Sequence, residues 1–316
     1  MATPSVLVLA GGISHERDIS LRSGRLVADG LEAHGVSVGI ADPDATLVGR
    51  LQSEKPDVVW PVLHGASGED GALRSLLEMM GIRYVGSPSA ATRLAWDKPS
   101  AKTLVERAGV HTPESISLSR DAFRELGAES VLGVVEDTLG YPVVVKPARG
   151  GSAQGVSWVS NTEELRRAMV HAFTYSDDAL IEQQITGTEI CVGIIDTGDG
   201  PTALPSVEIE PVDGHYTFEA RYTAGQTRFF SPARREDATL AEAARQALLV
   251  HETLGLRDLS RIDFIIDKAG TPWFLEASVM PGLTETSTVA LALDQAGYDV
   301  GGVYRALAEQ AYQRRV

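Results

Sequence analysis

Apolar residues follow two rhythms along this chain. Residues 6–10 (VLVLA) form a short, continuous apolar run that stops at Gly11-Gly12, as a strand buried on both faces would. After a polar stretch, Leu21, Leu26, Val27 and Leu31 recur at helical spacing up to Gly35, which predicts an amphipathic helix with a glycine stop. Strands are expected at 36–41 and 57–63 (DVVWPVL), a helix at 71–80 before Gly81, and a short strand at 84–86. Strands alternating with helices over this first segment predict a doubly wound unit with a parallel sheet.

Punctuation changes after residue 88. A helix is expected at 100–108, closed by Gly109 and Pro113, and it leads into a second unit. Strands follow at 143–147 and 158–159 on either side of a Gly-rich loop, then a helix at 163–172 and a strand at 179–183. Further strands are expected at 190–195 and 206–209, a polar aromatic loop at 214–231, and a long helix at 238–254. A hairpin of 261–267 with 272–277 and a terminal helix at 303–312 complete the pattern, with no internal repeat or low-complexity stretch.

Composition narrows the function classes. The chain has 316 residues, enough for two domains or three small ones, and 43% apolar with 22% charged residues is ordinary globular usage rather than disorder. A net charge of −15 argues against nucleic acid or an anionic membrane as partner, since phosphates are repelled on average. Cys191 stands alone, which excludes an internal disulfide and a CxxC zinc site and fits a reducing cytoplasm. No apolar run reaches the ~18 residues of a membrane span, and the N-terminus reads as a first strand rather than a signal peptide. Arginine outnumbers lysine 23 to 5, so some of Lys55, Lys98, Lys102, Lys146 and Lys268 are expected where a compact ammonium is needed, although drift and GC-rich coding explain the same bias equally well.

Two constellations carry chemistry. Lys146 ends a strand and is followed by PARGGSAQG, in which Gly150, Gly151 and Gly155 let backbone N–H groups approach an anion; an ordinary flexible hairpin is the competing reading. The loop has neither the P-loop nor the Rossmann spacing. In the hairpin, a four-residue turn at 268–271 pairs 267 with 272, 265 with 274, 263 with 276 and 261 with 278. Arg261, Asp263, Glu276 and Ser278 then share one face. Two carboxylates directly opposite repel each other unless a cation intervenes, and oxygen ligands suit Mg²⁺; a solvated face compensated by Arg261 is the alternative. His64 and residues 12–16 lie beyond the carboxyl ends of two strands, where open α/β sheets bind ligands, although His64 reads equally as a turn residue. Cys191, flanked by Ile190 and Val192, is expected to be buried and inert. His34, His171 and His251 are expected on helix surfaces.

Eight blocks in order resemble the D-alanine–D-alanine ligases of the ATP-grasp superfamily: GGISHERDIS (11–20), PVLHGASGEDG (61–71), WDKPSAK (96–102), VVVKPARGGSAQG (143–155), LIEQQITGTE (180–189), FEARYTAGQTRFFSPAR (218–234), SRIDFIID (260–267) and FLEASVMPGLTETS (274–287). The resemblance implies an α/β chain of ATP-grasp fold in three parts. These are an N-terminal substrate-binding domain at 1–96 with a doubly wound parallel sheet, a small central α+β subdomain at 97–183, and a C-terminal catalytic α+β domain at 184–316. It implies ATP and Mg²⁺, two ions with Mn²⁺ as a substitute, a homodimer, and a place in cell-wall peptidoglycan synthesis. By matching positions, Lys98 and Lys146 contact ATP phosphates, Gly151 and Ser152 lie on the loop over them, Glu182, Gln183 and Ile185 line the adenine site, and Glu189 bonds the ribose. Asp263, Glu276 and Ser278 fall at the metal positions. Glu16 pairs with the first substrate's ammonium near His64, Arg261 and the Gly282 N–H stabilise an oxyanion, Ser287 holds the second substrate's carboxylate, and Arg221 and Tyr222 belong to a covering loop.

The implied reaction activates a carboxylate with ATP as an acyl phosphate, which the amine of a second amino acid attacks. Three departures stand out. Ser278 replaces the usual asparagine and Arg221 the usual lysine, while Thr288-Val289-Ala290 replace a leucine-containing segment that ends in proline. The rival readings are a specialised ligase of the same fold with another substrate, and a catalytically weak nucleotide-binding homologue.

Overall fold

A computed structural model describes residues 3–315. The first sheet is parallel, with Ser5–Leu9 in the centre between Ser37–Ala41 and Val58–Pro61. Its central strand is buried along its length, as the apolar run at 6–10 demands. Helix Arg17–Ala33 packs its Val27–Leu31 stripe onto this sheet. The last helix, Val300–Gln313, returns to the same core, where Tyr304 meets Trp60 edge-on at 5.5 Å. Residues from both ends of the chain therefore close one hydrophobic layer.

Two antiparallel sheets follow. The smaller runs Ser115–Ser119, Asp178–Gln183, Val143–Pro147, Ser157–Val159. Helices Ala128–Leu139 and Thr162–Ala172 cover one of its faces. The larger runs Thr227–Phe230, Val207–Pro211, Gly187–Ile195, Leu259–Asp267, Pro272–Ser278, with Thr202–Ala203 beside Gly187–Ile195. Helix Asp237–Thr253 packs beneath it. A nucleotide-sized cleft opens between the uncovered faces of the two sheets. Among the described residues, no helix is long and apolar enough to cross a membrane.

Several expectations need correction. Residues 84–86 form no strand, and Tyr84 makes only an isolated bridge to Val59. The segment 214–231 is not all loop, because it contains the helical turn Phe218–Tyr222 and the strand Thr227–Phe230. His251 is not on a surface: it is 4% exposed, and its Nδ1 lies 2.8 Å from the Ser260 hydroxyl. Burial pushes its imidazole down to about 4. Cys191 is buried as expected, and burial raises its thiol to about 12.

One buried charge ties the C-terminal end of the chain to the first unit. Asp258 is fully buried in a left-handed conformation (φ 67°) and accepts from the Gly86 N–H at 2.6 Å. Both terminal nitrogens of Arg314 bond its carboxylate, one at 2.9 Å, and Arg314 also donates to the Tyr84 carbonyl at 3.2 Å. Removing the cation strands a buried anion, which costs about 3 kcal/mol or more. Arg314→Met is expected to lower the free energy of urea unfolding by about that amount, with partial recovery when Asp258→Asn is added. A loss below about 1 kcal/mol would mean that Asp258 is held by its other partners.

Candidate active site

The hairpin sets two carboxylates face to face, although not by the expected turn. Asp263 pairs with Glu276 and Arg261 with Ser278, but beyond them Ile265 pairs with Trp273 and Ile266 with Pro272. The turn is one residue tighter than expected, with Asp267 N bonded to Thr271 O at 3.1 Å. A bulge beside Asp263 absorbs the difference. Such a bulge breaks the alternation of side chains: Leu275 and the adjacent Glu276 both line the cleft, while Phe274 and Ala277 are buried beneath.

Cations converge on this platform. Arg261 grips Asp263 through two bonds of 2.7 Å. Lys98, at the start of helix Lys98–Arg107, donates to Gly150 O at 2.5 Å and lies 3.3 Å from Glu276 Oε2. Arg221 stacks on Tyr216 at 4.1 Å, with its Nε buried and unpartnered. Burial alone would raise the Glu276 carboxyl; Lys98, Arg221, Lys146 and Arg261 reverse this and hold it down at about 2. Behind them, Glu182 is 2% exposed and bonds both Lys146 and Lys102, the latter at 2.7 Å. Lys102 is a site residue that the motifs passed over; its one sequence signal was the scarcity of lysine.

The carboxylate pair suits a hard divalent cation. Glu276 is held ionised, Asp263 is opposite it, and both are oxygen donors. No group of three or more acidic, His or Cys side chains converges for a metal among the described residues, so phosphates or water would have to complete the shell. Ser278 lines the same cavity, and its hydroxyl donates to Glu69 Oε2 at 3.4 Å.

On one side of this waist lies a polar chamber. Glu16, 7% exposed at the head of helix Arg17–Ala33, accepts hydrogen bonds from the Ser152 and Tyr222 hydroxyls, the latter at 2.7 Å. Ser152 and Ala153 both adopt left-handed backbone (φ 50° and 58°), which is uncommon outside glycine and turns the serine toward Glu16. His64 is 5% exposed, with Nε2 unpartnered, and burial lowers its pKa. Next to it, a Cβ on Gly68 would lie 1.9 Å from Leu63 O, so this loop can fold back only with glycine there. Glu69 was not anticipated; burial and then the charge of Glu16 push it up to about 7, against a 2.9 Å bond from Gly65 N. At the far wall Ser287 precedes helix Thr288–Gln295, and its Oγ accepts from Thr284 N at 3.0 Å. Gly282 faces that hydroxyl across a gap too small for a side chain.

On the other side lies an apolar slot. Val144, Trp158, Ile265 and Leu275 form its walls, and Gln183, Ile185 and Glu189 its rim. Burial pushes Glu189 up to about 7; Asp263 and Glu276 add to the rise and Arg221 opposes it. Glu182 lines both this slot and the waist, with its carboxylate committed to the two lysines. All eighteen residues singled out from the sequence line this cleft.

Comparison with known proteins gives a consistent picture. The family model described as D-ala D-ala ligase C-terminus matches residues 104–309, and D-ala D-ala ligase N-terminus matches 42–87. A protein of Bordetella petrii named D-alanine--D-alanine ligase is 37% identical over 94% of this chain and 88% of its own length. One of that name from Pelotomaculum thermopropionicum is 34% identical over 98% of each. The VanG D-Ala:D-Ser ligase of Enterococcus faecalis superposes with a TM-score of 0.84 at 25% identity, covering 98% of this chain and all of that one. A D-alanine--D-alanine ligase of Bacillus anthracis complexed with ATP shares the fold, with a TM-score of 0.80 at 24% identity over 99% and 98%.

Glu189 gives a pH-dependent test. Its native pKa lies above the 4.5 of an unperturbed glutamate, so between about 4.5 and 7 the native state holds a proton that the unfolded state releases. Its contribution therefore falls as pH rises through that window and stays low above it. Glu189→Gln is expected to stabilise the ligand-free protein at pH 8 by about 2 kcal/mol relative to wild type, and by nearly nothing at pH 4. Equal effects at both pH values in urea unfolding would contradict the burial of this charge.

Proposed function

The chain belongs to the D-alanine–D-alanine ligase family and is an ATP-dependent ligase, and we propose that it joins two D-alanines through an acyl phosphate, giving D-alanyl-D-alanine, ADP and phosphate. The observation that carries this reading is how the cavities adjoin: the chamber holding Glu16 shares Lys98, Arg221, Asp263 and Glu276 with the cationic waist, and the waist shares Val144, Trp158, Glu182 and Ile265 with the apolar slot.

In this reading the base of ATP enters the slot, between Val144 and the Ile265–Leu275 floor and beside Gln183 and Ile185, with Glu189 accepting from the ribose. The triphosphate reaches back to Lys98, Lys146 and Arg221, under Gly151 and Ser152. Asp263 and Glu276 would hold Mg²⁺, which supplies charge neutralisation at the phosphates when bound. The first D-alanine sets its ammonium against Glu16 and its carboxylate toward the waist. One carboxylate oxygen attacks the γ-phosphorus and ADP leaves. The second D-alanine docks its carboxylate at Ser287, where the exposed N–H groups of helix Thr288–Gln295 favour an anion. Its free amine attacks the acyl carbon, and the oxyanion that forms is stabilised by Arg261 and the Gly282 N–H. Phosphate departs with the bridging oxygen and takes up the proton that the attacking nitrogen gives up. Closure by Tyr222 keeps water from the acyl phosphate.

The hydroxyls of Thr284, Thr286 and Thr288 around Ser287 favour a second reading. In it the second amino acid has a small polar side chain, such as the D-serine named for the Enterococcus faecalis relative.

ADP release should require D-alanine, and product mass spectrometry should show the D-alanine dimer. A mixed product only when D-serine is added selects the second reading, and release with neither amino acid removes both. Glu276→Gln is expected to lower turnover by ~10²-fold or more while the urea midpoint stays near wild type. Near-wild-type turnover would remove Glu276 from the metal site. Ser278→Asn is expected to lower the Mg²⁺ concentration for half-maximal rate, because an amide oxygen reaches further than a serine hydroxyl; identical titrations would show that position 278 does not touch the metal.

A further inference from the structure

The segment that covers the cleft is fixed at three places. Its root is clamped by Arg234, which bonds Glu208 and Glu210 at 2.6 and 2.9 Å and lies over the Phe230 ring at 3.5 Å. Its tip is held on the amino-acid side by Tyr222 on Glu16 and Ser152. The third place is on the nucleotide side, where His215 lies flat on Trp158, with ring centroids 4.1 Å apart and planes 25° from parallel.

Trp158 reaches the cleft for a reason written in the sheet. It pairs with Val144, and Val144 pairs with Glu182 on the next strand, so these three form one cross-strand row. Val144 and Glu182 line the apolar slot, and Trp158 stands at the outer end of that row. His215 is exposed, so the stacked pair forms the boundary between the slot and solvent. It joins the small sheet to the covering segment along one side of the slot. Tyr216, the next residue, borders both the slot and the amino-acid chamber.

We propose that the Trp158–His215 stack is the outer wall of the nucleotide site, positioning the bound nucleotide and limiting the rate at which it leaves. This rests on the reading of the slot as the nucleotide site. A stack of this geometry contributes a few-fold to about tenfold in an equilibrium, so its loss should appear as faster release rather than as abolished binding. Since Tyr222 holds the other end of the covering segment independently, the effect should fall on the nucleotide and spare D-alanine.

The test measures dissociation of a fluorescent ADP analogue by stopped flow, together with KM for ATP and for D-alanine at saturating ATP. His215→Ala and Trp158→Leu are expected to speed release about 5-fold and raise KM for ATP by a similar factor, with KM for D-alanine within about 2-fold of wild type. His215→Phe, which keeps a ring on Trp158, should return release to near the wild-type rate. Unchanged release in both disrupting variants would overturn the proposal. So would equal acceleration in His215→Ala and His215→Phe, or equal increases in both KM values. Unfolding midpoints identify a variant that has simply lost its fold, in which case the other disrupting variant decides. Failure of the wild-type protein to bind the analogue would overturn the nucleotide reading and the proposal with it.

Discussion

Charge compensation among largely buried groups governs this structure. Lys98, Lys146, Arg221 and Arg261 meet Glu182, Glu276 and Asp263 where the two antiparallel sheets face each other. In such surroundings each uncompensated charge is costly, so the groups are held in pairs: Arg261 on Asp263, Lys146 with Lys102 on Glu182, Lys98 near Glu276. Arg221 is the exception, with part of its guanidinium unpartnered. A polyanion that enters the waist completes this pairing. The same low dielectric that makes the pairs necessary makes them effective on a developing charge.

The chamber follows the same logic at smaller scale. Glu16 is buried at the head of a helix, and two hydroxyls from different parts of the chain bond to it. The first helix, the Gly-rich loop and the covering segment are thus drawn together by one carboxylate. Glu69 nearby and Glu189 in the slot are raised to about 7 and are less favourably placed. Such groups cost stability where a ligand is to be received.

Much of this was legible in the sequence because it depends on local rules. The pairing of Asp263 with Glu276 follows from hairpin alternation alone, and the expected pairing is correct even though the turn is one residue shorter than supposed. Two departures cancelled, and no local signal reports a bulge at Leu275, whose place in the slot was accordingly missed. The rarity of lysine was a better guide: Lys98, Lys102 and Lys146 are buried against carboxylates or carbonyls, and Lys55 and Lys268 are exposed. What escaped was set by distant packing. His251 looks like a helix-surface residue until Ser260 is brought against it, and Glu69 is unremarkable until the chamber closes around it. Short helices such as Ser89–Trp96 and Leu47–Glu54 span only about two turns, too few for a period to stand out.

The central claim is that this cleft activates a carboxylate by transferring phosphate to it. The fate of the carboxylate oxygen tests that most directly. D-alanine labelled with ¹⁸O in both carboxylate oxygens would be turned over with unlabelled ATP in unlabelled water, and the inorganic phosphate analysed by mass. The account predicts one ¹⁸O in each phosphate released with dipeptide, because the oxygen bridging carbon and phosphorus leaves with phosphorus when the amine attacks. Phosphate free of label, with dipeptide still formed, would contradict it.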